Sequence, residues 1–266
     1  MKRNILLCIV FSSIAISSFA QSNEPHKLSI TPYLGLRSVD WKEQNVVGNA
    51  GFELNFKPVN NKFNVRLELS AFGSMLNSQT KSAETSYSLT SDFVNSINTT
   101  NAPLNSTYRG GVAQIDVSVP FRLKDSTMTF EPFVGLESKT WARGVSIGDG
   151  KEIQEERYKF LSPTLGAKLS YGHNKSKVKL TVRVAVSYPA TSNLQIYGRN
   201  LGAPYDTDTD LTKRISPSFE IGGKVKKISV KLRYELINLG NSDTLKGISV
   251  PDSKATITGI TVGYDF

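Results

Sequence analysis

Apolar residues fall on every second position through most of this chain, and the residues between them are largely polar. In 228–236, which reads ISVKLRYEL, the apolar side chains form one face and Ser, Lys, Arg and Glu the other. Segments 177–188 (KVKLTVRVAVSY) and 63–71 (FNVRLELSA) repeat the pattern. A period of two predicts β-strands with one apolar and one polar face. The pattern fits a soluble sandwich or a membrane barrel, because these folds differ in which face meets the surroundings.

Ten such segments follow one another, and the links between them alternate between short and long. Short-long alternation is typical of up-and-down membrane barrels, which have tight periplasmic turns and longer outer loops. The sequence therefore predicts an all-β, transmembrane, up-and-down antiparallel β-barrel of about ten strands. The predicted strands are 28–39, 49–58, 63–74, 108–123, 128–142, 158–171, 177–189, 215–225, 228–239 and 255–266. The short links are 59–62, 124–127, 172–176 and 226–227, and the long links are 40–48, 75–107, 143–157, 190–214 and 240–254.

The strand count also stays open to eight or twelve. The longest link, 75–107, contains SYSLTSDFVNSI, which could form a further strand pair. The rest of this link is rich in Ser, Thr and Asn, and loops of such length are usually functional or flexible.

Aromatic residues beside the short links decide between the barrel and the sandwich. By the phase of the strands these rings lie on the apolar face, where a membrane barrel carries an interfacial girdle at each end. A soluble sandwich has no reason to place ring after ring at one end of its outer face. The predicted periplasmic aromatic girdle consists of Phe56, Phe63, Phe121, Phe130 and Tyr171.

The last ten residues, ITGITVGYDF, end on an aromatic ring behind alternating apolar residues. Ile260, Val262, Tyr264 and Phe266 share one face, and the segment resembles the C-terminal assembly signal of bacterial outer-membrane proteins. The opening strand ITPYLGLRSVDW is similar to the first strand of small OmpA-type barrels. The resemblance implies an outer-membrane barrel that the barrel assembly machinery inserts, with the last strand paired to the first.

The N-terminus carries the pattern of a secretory signal. Lys2 and Arg3 precede a mostly apolar run at 5–16, and Ser18-Phe19-Ala20 is a small-x-small cleavage site. Residues 1–20 are thus predicted to be a cleaved signal peptide, and residues 21–266 the barrel domain. Cys8, the sole cysteine of the chain, leaves with the signal, so no disulfide is expected. No later stretch approaches 18 consecutive apolar residues, and a closed barrel is then the one way for the mature chain to cross a membrane.

Net charge suggests the partners of the exported chain. Removal of Lys2 and Arg3 lowers the formal net charge from +9 to +7. A moderately basic surface suits lipopolysaccharide or anionic outer-membrane lipid. An external ligand or host surface at the loops is a further possible partner, and nothing indicates nucleic acid.

The polar faces of the strands carry both signs of charge. Because about eight strands leave an interior just filled by side chains, ten strands favour a lumen packed with paired charges. A narrow channel for small solutes or anions is the alternative. The predicted lumen charge network consists of Arg37, Glu53, Arg66, Glu68, Asp116, Arg122, Glu131, Glu137, Lys139, Lys168, Lys179, Arg183, Glu220, Lys231, Arg233 and Glu235.

Catalytic and metal-binding patterns are weak. The histidines, His26 and His173, fall before the first strand and in a short link, away from the outer rim. Omptin proteases, with ten strands, pair aspartates with a histidine at the outer mouth, but no histidine accompanies Asp206, Asp208 and Asp210. These aspartates lack the glycine and glutamate of a calcium loop. We therefore expect no enzyme, cofactor or metal site. The expected function is a structural or surface-interaction role of adhesin type, with a narrow channel as alternative and an enzyme as a distant third.

Overall fold

The computed structural model describes residues 27–42, 44–58, 62–75, 78–80, 104–123, 127–147, 151–172, 178–198, 207–242 and 251–266. The predicted signal peptide, both histidines and most of the 75–107 link lie outside these residues. Among the described residues, no helix is long and apolar enough to cross a membrane.

The described residues form fourteen strand segments and no helix. Their bounds are β1 Lys27–Asp40, β2 Gln44–Lys57, β3 Asn64–Ser74, β4 Ser78–Thr80, β5 Leu104–Ser118, β6 Phe121–Arg122, β7 Met128–Ile147, β8 Lys151–Tyr171, β9 Val178–Ser187, β10 Thr191–Gly198, β11 Thr207–Asp210, β12 Ser216–Val225, β13 Ile228–Leu239 and β14 Ser253–Tyr264.

Antiparallel pairing closes these segments into a ring. The order is β1, β2, β3, β5, β7, β8, β9, β12, β13 and β14, and β14 returns to pair with β1 from Tyr33↔Gly263 to Asp40↔Thr256. The four other segments, β4, β6, β10 and β11, prolong strands of this ring. The result is a closed ten-stranded barrel, so the predicted fold class is confirmed. Closure leaves neither the first nor the last strand as a free edge.

Part of the barrel wall is built from two composite strands. β9 and β10 both pair with β8, and β11 and β12 run beside them. The pairing of β9 and β10 with β12 and β11 is interrupted between the pairs Ser187↔Ser216 and Asn193↔Asp210. Pro189 lies in this gap, and proline has no N–H to donate to a neighbouring strand. The missing donor explains why the two segments meet at this point with a break.

Strand extends into the predicted long links, and the predicted link bounds are wrong there. β1 reaches Asp40 and β2 begins at Gln44, both within the predicted link 40–48. β7 and β8 continue through the predicted link 143–157, leaving only 148–150 between them outside the described residues. The predicted link 190–214 contains β10 and β11. The wall on this side therefore rises well beyond the predicted strand ends. We call the end of the barrel with the short links the turn end, and the opposite end the loop end.

The outer surface of the barrel is an apolar belt. Along β8 it runs from Leu161 to Tyr171, ten residue steps apart. At about 3.3 Å per residue and a tilt near 40°, this length corresponds to roughly 25 Å, the usual height of the apolar band of a membrane barrel. The apolar faces thus point outward and the polar faces inward, the reverse of a soluble sandwich. Large exposed side chains of the belt include Leu34, Leu36, Ile115, Val134, Leu165, Val184, Ile221, Leu232, Ile260 and Val262.

The predicted girdle and assembly-signal residues lie on this outer surface at the turn end. Phe121 pairs with Phe130 across β6 and β7, and Tyr171 pairs with Met128. Phe56 is half-buried, and the other girdle rings are exposed. Tyr264 and Phe266 stack edge to face with centroids 5.0 Å apart, and Ile260 and Val262 continue their row.

Candidate functional site

Strand alternation places the charged side chains inside the barrel, where Arg66 forms the centre of a network. Its Nε donates to Glu53 at 2.8 Å and its Nη1 to Asp116 at 3.0 Å, while Nη2 contacts Glu68. The Tyr33 hydroxyl donates to Glu68 at 2.8 Å. Glu53, Glu68 and Asp116 are buried, and buried charges are stable only when paired and hydrogen-bonded. The guanidinium therefore supplies most of the compensation that three carboxylates require.

Other ion pairs cross the lumen from wall to wall. Lys139 on β7 contacts Glu235 on β13, and these strands are separated by three others around the ring. Arg233 on β13 reaches Glu68 on β3 at 3.6 Å, again past three intervening strands. Arg183 on β9 donates to Asp116 on β5 at 2.9 Å. Contacts of this kind tie opposite walls together through the middle of the barrel.

Little open space remains at this level. A cavity of about 20 Å³ lies among Tyr33, Arg37, Glu68, Lys231 and Arg233, which is room for about one water molecule. A second cavity of about 20 Å³ borders the Pro189 break in the wall. Among the described residues, ion pairs therefore occupy the middle of the lumen.

The barrel places the predicted lumen charges on its inner face. Arg37 is buried, and its Nη2 lies 3.2 Å from the Asn49 side-chain amide. Arg122 keeps the inward phase but is exposed, because it lies at the turn-end mouth. Lys168 pairs with Glu131 at 2.7 Å, and Lys179 is half-buried. Further ion pairs of the network are Lys139–Glu137 at 3.0 Å, Lys231–Glu53 at 2.6 Å, Lys231–Glu220 at 3.7 Å, Arg233–Glu137 at 3.7 Å and Arg233–Glu235 at 3.6 Å.

An apolar plug, which the sequence analysis missed, lies inside the barrel above the charge network. Its centre is an aromatic cluster in which Trp41 lies 5.2 Å from Trp141 and 5.2 Å from Tyr158, centroid to centroid, with Tyr108 at 6.2 Å. Tilted and edge-to-face rings at such distances are favourable contacts. The remaining members of the apolar plug are Val39, Val47, Phe72, Phe160, Leu194, Ile196, Leu211, Ile237, Leu239, Ala255 and Ile257.

A signal for the apolar plug is present in the sequence. In β13 the segment YELINL breaks the alternation, because Leu236 and Ile237 are consecutive apolar residues and Asn238 then takes the outward face. Ile237 and Leu239 are 4% and 3% exposed, and they face the lumen like Glu235. The inward face of the strand thus changes from charged to apolar toward the loop end. Trp141 and Tyr158 likewise hold inward positions on strands whose inner faces are charged nearer the turn end.

Two adjacent glutamates at the loop end serve opposite faces of β8. Glu156 points inward and accepts from Gln154 at 3.0 Å, Tyr158 at 3.1 Å, and Arg143 and Lys42 at 3.2 and 3.3 Å. This buried carboxylate is held by cations and hydrogen-bond donors, so the geometry supports a structural role for it. No histidine falls among the described residues to work with it.

Glu155 points outward beyond the apolar belt, between two arginines. It accepts from Arg157 Nε at 2.7 Å and from Arg109 Nη2 at 2.8 Å. Burial alone would raise the pKa of the Glu155 carboxyl, but the hydrogen bonds from Arg157 and Arg109 lower the pKa below its ordinary value. Arg157 also lies over the Tyr197 ring, 4.9 Å from its centroid. This arrangement fixes charged groups on the outer surface of the extended wall.

The predicted acidic segment does not form a metal site in the described residues. Asp208 accepts from Asn193 and from Gln195, the latter at 3.2 Å, while Asp206 lies outside the described part of the chain. Across the described ranges, no group of three His, Cys, Asp or Glu side chains could hold a metal ion. The local contacts of Asp208 are those of a strand pair between β10 and β11.

Comparisons with known proteins support the fold. No family model matches the chain, and no curated protein matches its sequence. The outer-membrane protease OmpT from Escherichia coli matches with 9% identity and a TM-score of 0.53, over 91% of this chain and 96% of that chain. A major outer-membrane protein from Thermus thermophilus matches with 11% identity and a TM-score of 0.46, over 91% and 100%. Ail of Yersinia pestis matches with 9% identity and a TM-score of 0.32, over 91% and 100%.

The similarity to OmpT at this identity establishes the fold alone. The fold is that of bacterial outer-membrane β-barrels, as the terminal strand and the link lengths predicted. A fold of this kind does not determine a function.

Proposed function

We propose that this protein is an integral outer-membrane barrel of a Gram-negative bacterium that acts at the cell surface without catalysis and without conducting solutes. The observation that carries this proposal is the double closure of the lumen. Cross-lumen ion pairs such as Lys139–Glu235 and Arg233–Glu68 occupy the middle. The apolar plug around Trp41, its side chains packed within the barrel, lies above them.

The two closures support each other physically. An aqueous pore would need a continuous polar path, whereas here the polar level is crossed by ion pairs and the next level is apolar. Selective pores usually carry rings of one sign of charge. The middle of this lumen mixes signs within each contact, as Arg66 does with Glu53 and Asp116. The pattern favours a rigid interior over a channel, which is the alternative.

The extended wall at the loop end supports the surface role. β7 and β8 run beyond the apolar belt, and the outward positions of β8 there hold charged side chains. Lys159 lies two residues beyond Leu161 on the same face, about 7 Å along the strand. Arg157 and Arg109 follow, with side chains 41% and 57% exposed. Cations just above the apolar belt are well placed for the phosphate groups of lipopolysaccharide, the partner that the basic net charge suggests.

Lipopolysaccharide binding tests the surface part of the proposal. We expect the variant Arg157→Gln/Lys159→Gln, refolded in detergent, to bind purified lipopolysaccharide several-fold more weakly than the wild type. Arg122→Gln is the matched control, since Arg122 is exposed at the opposite end of the barrel. Equal affinity in all three proteins would remove this face as the lipopolysaccharide contact.

A solute-release assay tests the closed lumen. Liposomes loaded with a small sugar and carrying refolded wild type should release it no faster than protein-free liposomes. Rapid release from liposomes whose protein is shown to be folded would favour the channel. An assay for proteolysis and lipid hydrolysis on the same samples checks the absence of catalysis.

A further inference from the structure

Lysines gather on the inner face of the barrel at its turn end. Lys57 on β2, Lys168 on β8, Lys179 on β9 and Lys224 on β12 all lie near the short links. Each lies within electrostatic range of others in this set. We call these four residues the turn-end lysine cluster. They come from strands around the ring, so the cluster exists only because the barrel closes.

Strand register adds to the repulsion within the cluster. Lys179 is directly opposite Lys224 in the pairing of β9 with β12. Lys57 is directly opposite Lys27 in the pairing of β2 with β1. Like charges on directly opposed strand positions are destabilising. Two such pairs at one mouth of the barrel are a cost that a bound anion would relieve.

The carboxylates at this level compensate only part of the charge. Glu131 pairs with Lys168 at 2.7 Å and also accepts from Asn64 at 3.1 Å. Asp265 pairs with Lys224. Lys57 and Lys179 are half-buried and form no ion pair within 4 Å with any described residue, although Glu131 lies within electrostatic range of both.

Most cations in the middle of the same lumen are compensated by carboxylates, whereas Arg37 lies beside the Asn49 side-chain amide. There Arg66, Lys139, Arg183, Lys231 and Arg233 each contact at least one carboxylate within the barrel. Among the described residues, the cations of the turn-end lysine cluster therefore exceed the carboxylates paired with them, Glu131 and Asp265. Excess half-buried charge of one sign, gathered from several strands, has the character of a binding site for the opposite charge.

We propose that the turn-end lysine cluster binds a multiply charged oxyanion of the phosphate class. Lysine ammonium groups are common phosphate ligands, and several around one anion can each donate to a different oxygen. The side chains of Lys168 and Lys224 are 26% and 38% exposed, so the site is open to a ligand from the turn end. The ion pairs above it block passage toward the loop end. The anion is thus held at the mouth and is not transported.

The site does not depend on the proposed surface function, because it lies at the other end of the barrel. Binding of pyrophosphate by refolded protein in zwitterionic detergent, measured by calorimetry at constant ionic strength, tests it directly. We expect saturable binding that Lys57→Gln/Lys179→Gln weakens by roughly tenfold or more, since it removes two charge-assisted contacts. Lys213→Gln, a change at an exposed loop-end lysine, should bind like the wild type.

Melting temperatures measured with and without pyrophosphate provide a second test. Without ligand, Lys57→Gln/Lys179→Gln should melt at a higher temperature than the wild type, because the like-charge repulsion is reduced. With pyrophosphate, the melting temperature should rise in the wild type and stay constant in the double variant. A double variant that is less stable than the wild type, or that binds pyrophosphate equally well, overturns the proposal.

Oxyanions of this class occur both in soluble compounds and in lipid headgroups, and binding measured in lipid nanodiscs distinguishes these two sources. Pyrophosphate affinity is compared in phosphatidylcholine nanodiscs and in nanodiscs that also contain phosphatidylglycerol. Much weaker binding with phosphatidylglycerol would assign the site to lipid headgroups, which then compete for it. Equal affinity would assign it to a soluble anion.

Discussion

Arg66 is the residue on which the charge network depends most. It contacts Glu53, Glu68 and Asp116, which lie on three neighbouring strands of the ring. Its inward position was predictable from the sequence, because strand alternation fixes the face of each side chain. Its partners were not, because they depend on the register of β3 with β2 and β5. The pair Lys139–Glu235 depends in addition on which strands face each other across the lumen.

Removal of the Arg66 guanidinium should destabilise the barrel strongly. Arg66→Ala leaves buried carboxylates without a partner, and breaking a buried pair in this way costs about 3–5 kcal/mol of unfolding free energy. Reversible urea unfolding in lipid vesicles measures the change. Arg122→Ala, an exposed position at the mouth, should shift the unfolding free energy by no more than about 0.5 kcal/mol. Similar losses in the two variants would contradict the central role of Arg66.

The β7–β8 hairpin is the element whose extent the sequence did not reveal. Within the apolar belt, the outward residues of these strands are apolar and the alternation is clear. Beyond Leu161 the outward positions hold Lys159, Arg157 and Glu155, so both faces become partly polar and the segment resembles a loop. The strand continues because its backbone pairs with β7 and its outward charges pair with one another. Charge pairing above the membrane thus replaces the apolar signal on which the prediction rested.

The stability of this hairpin should depend on pH through Glu155. Since the pKa of the folded Glu155 carboxyl lies below its ordinary value, the ionised form contributes stability at pH values above the unfolded pKa, about 4.3. That contribution is lost as the pH falls through the lower folded pKa. Melting curves between neutral and acidic pH should show a larger loss for the wild type than for Glu155→Gln. Equal losses of melting temperature in the two proteins at acidic pH would mean that the arginines do not stabilise the ionised Glu155 carboxylate.

The last strand gives a prediction about assembly that is separate from stability. Phe266 is 73% exposed, and its backbone N–H donates to the carbonyl of Ile30 at 3.0 Å. We expect deletion of Phe266 to slow insertion by the barrel assembly machinery several-fold while changing the melting temperature little. Heat-modifiable electrophoretic mobility, followed over time, measures the rate. Phe121→Ala, which removes another exposed ring at the same end, is the control and should insert normally.

At the scale of the whole molecule, the barrel wall encloses two different groups of side chains, the charge network and the apolar plug. The belt, the closure of β1 on β14 and the charged lumen followed from alternation, link lengths and the terminal strand. The apolar plug did not, because alternation identifies a face without showing that its chemistry changes along the barrel axis. Trp141 and Tyr158 are opposed in the pairing of β7 with β8, but Trp41, which follows β1, meets them only in the closed barrel.

Single-channel conductance in planar lipid bilayers tests the closed lumen most directly. The wild type should give no steady conductance once its insertion is verified. A variant with five substitutions should conduct, because it removes side chains from both the apolar plug and the charge network. The substitutions are Trp41→Ala, Trp141→Ala, Tyr158→Ala, Lys139→Ala and Glu235→Ala. Tyr188→Ala/Tyr234→Ala, two rings on the outer surface, is the silent control. Steady, anion-selective conductance of the folded wild type would contradict the account and make the protein a channel.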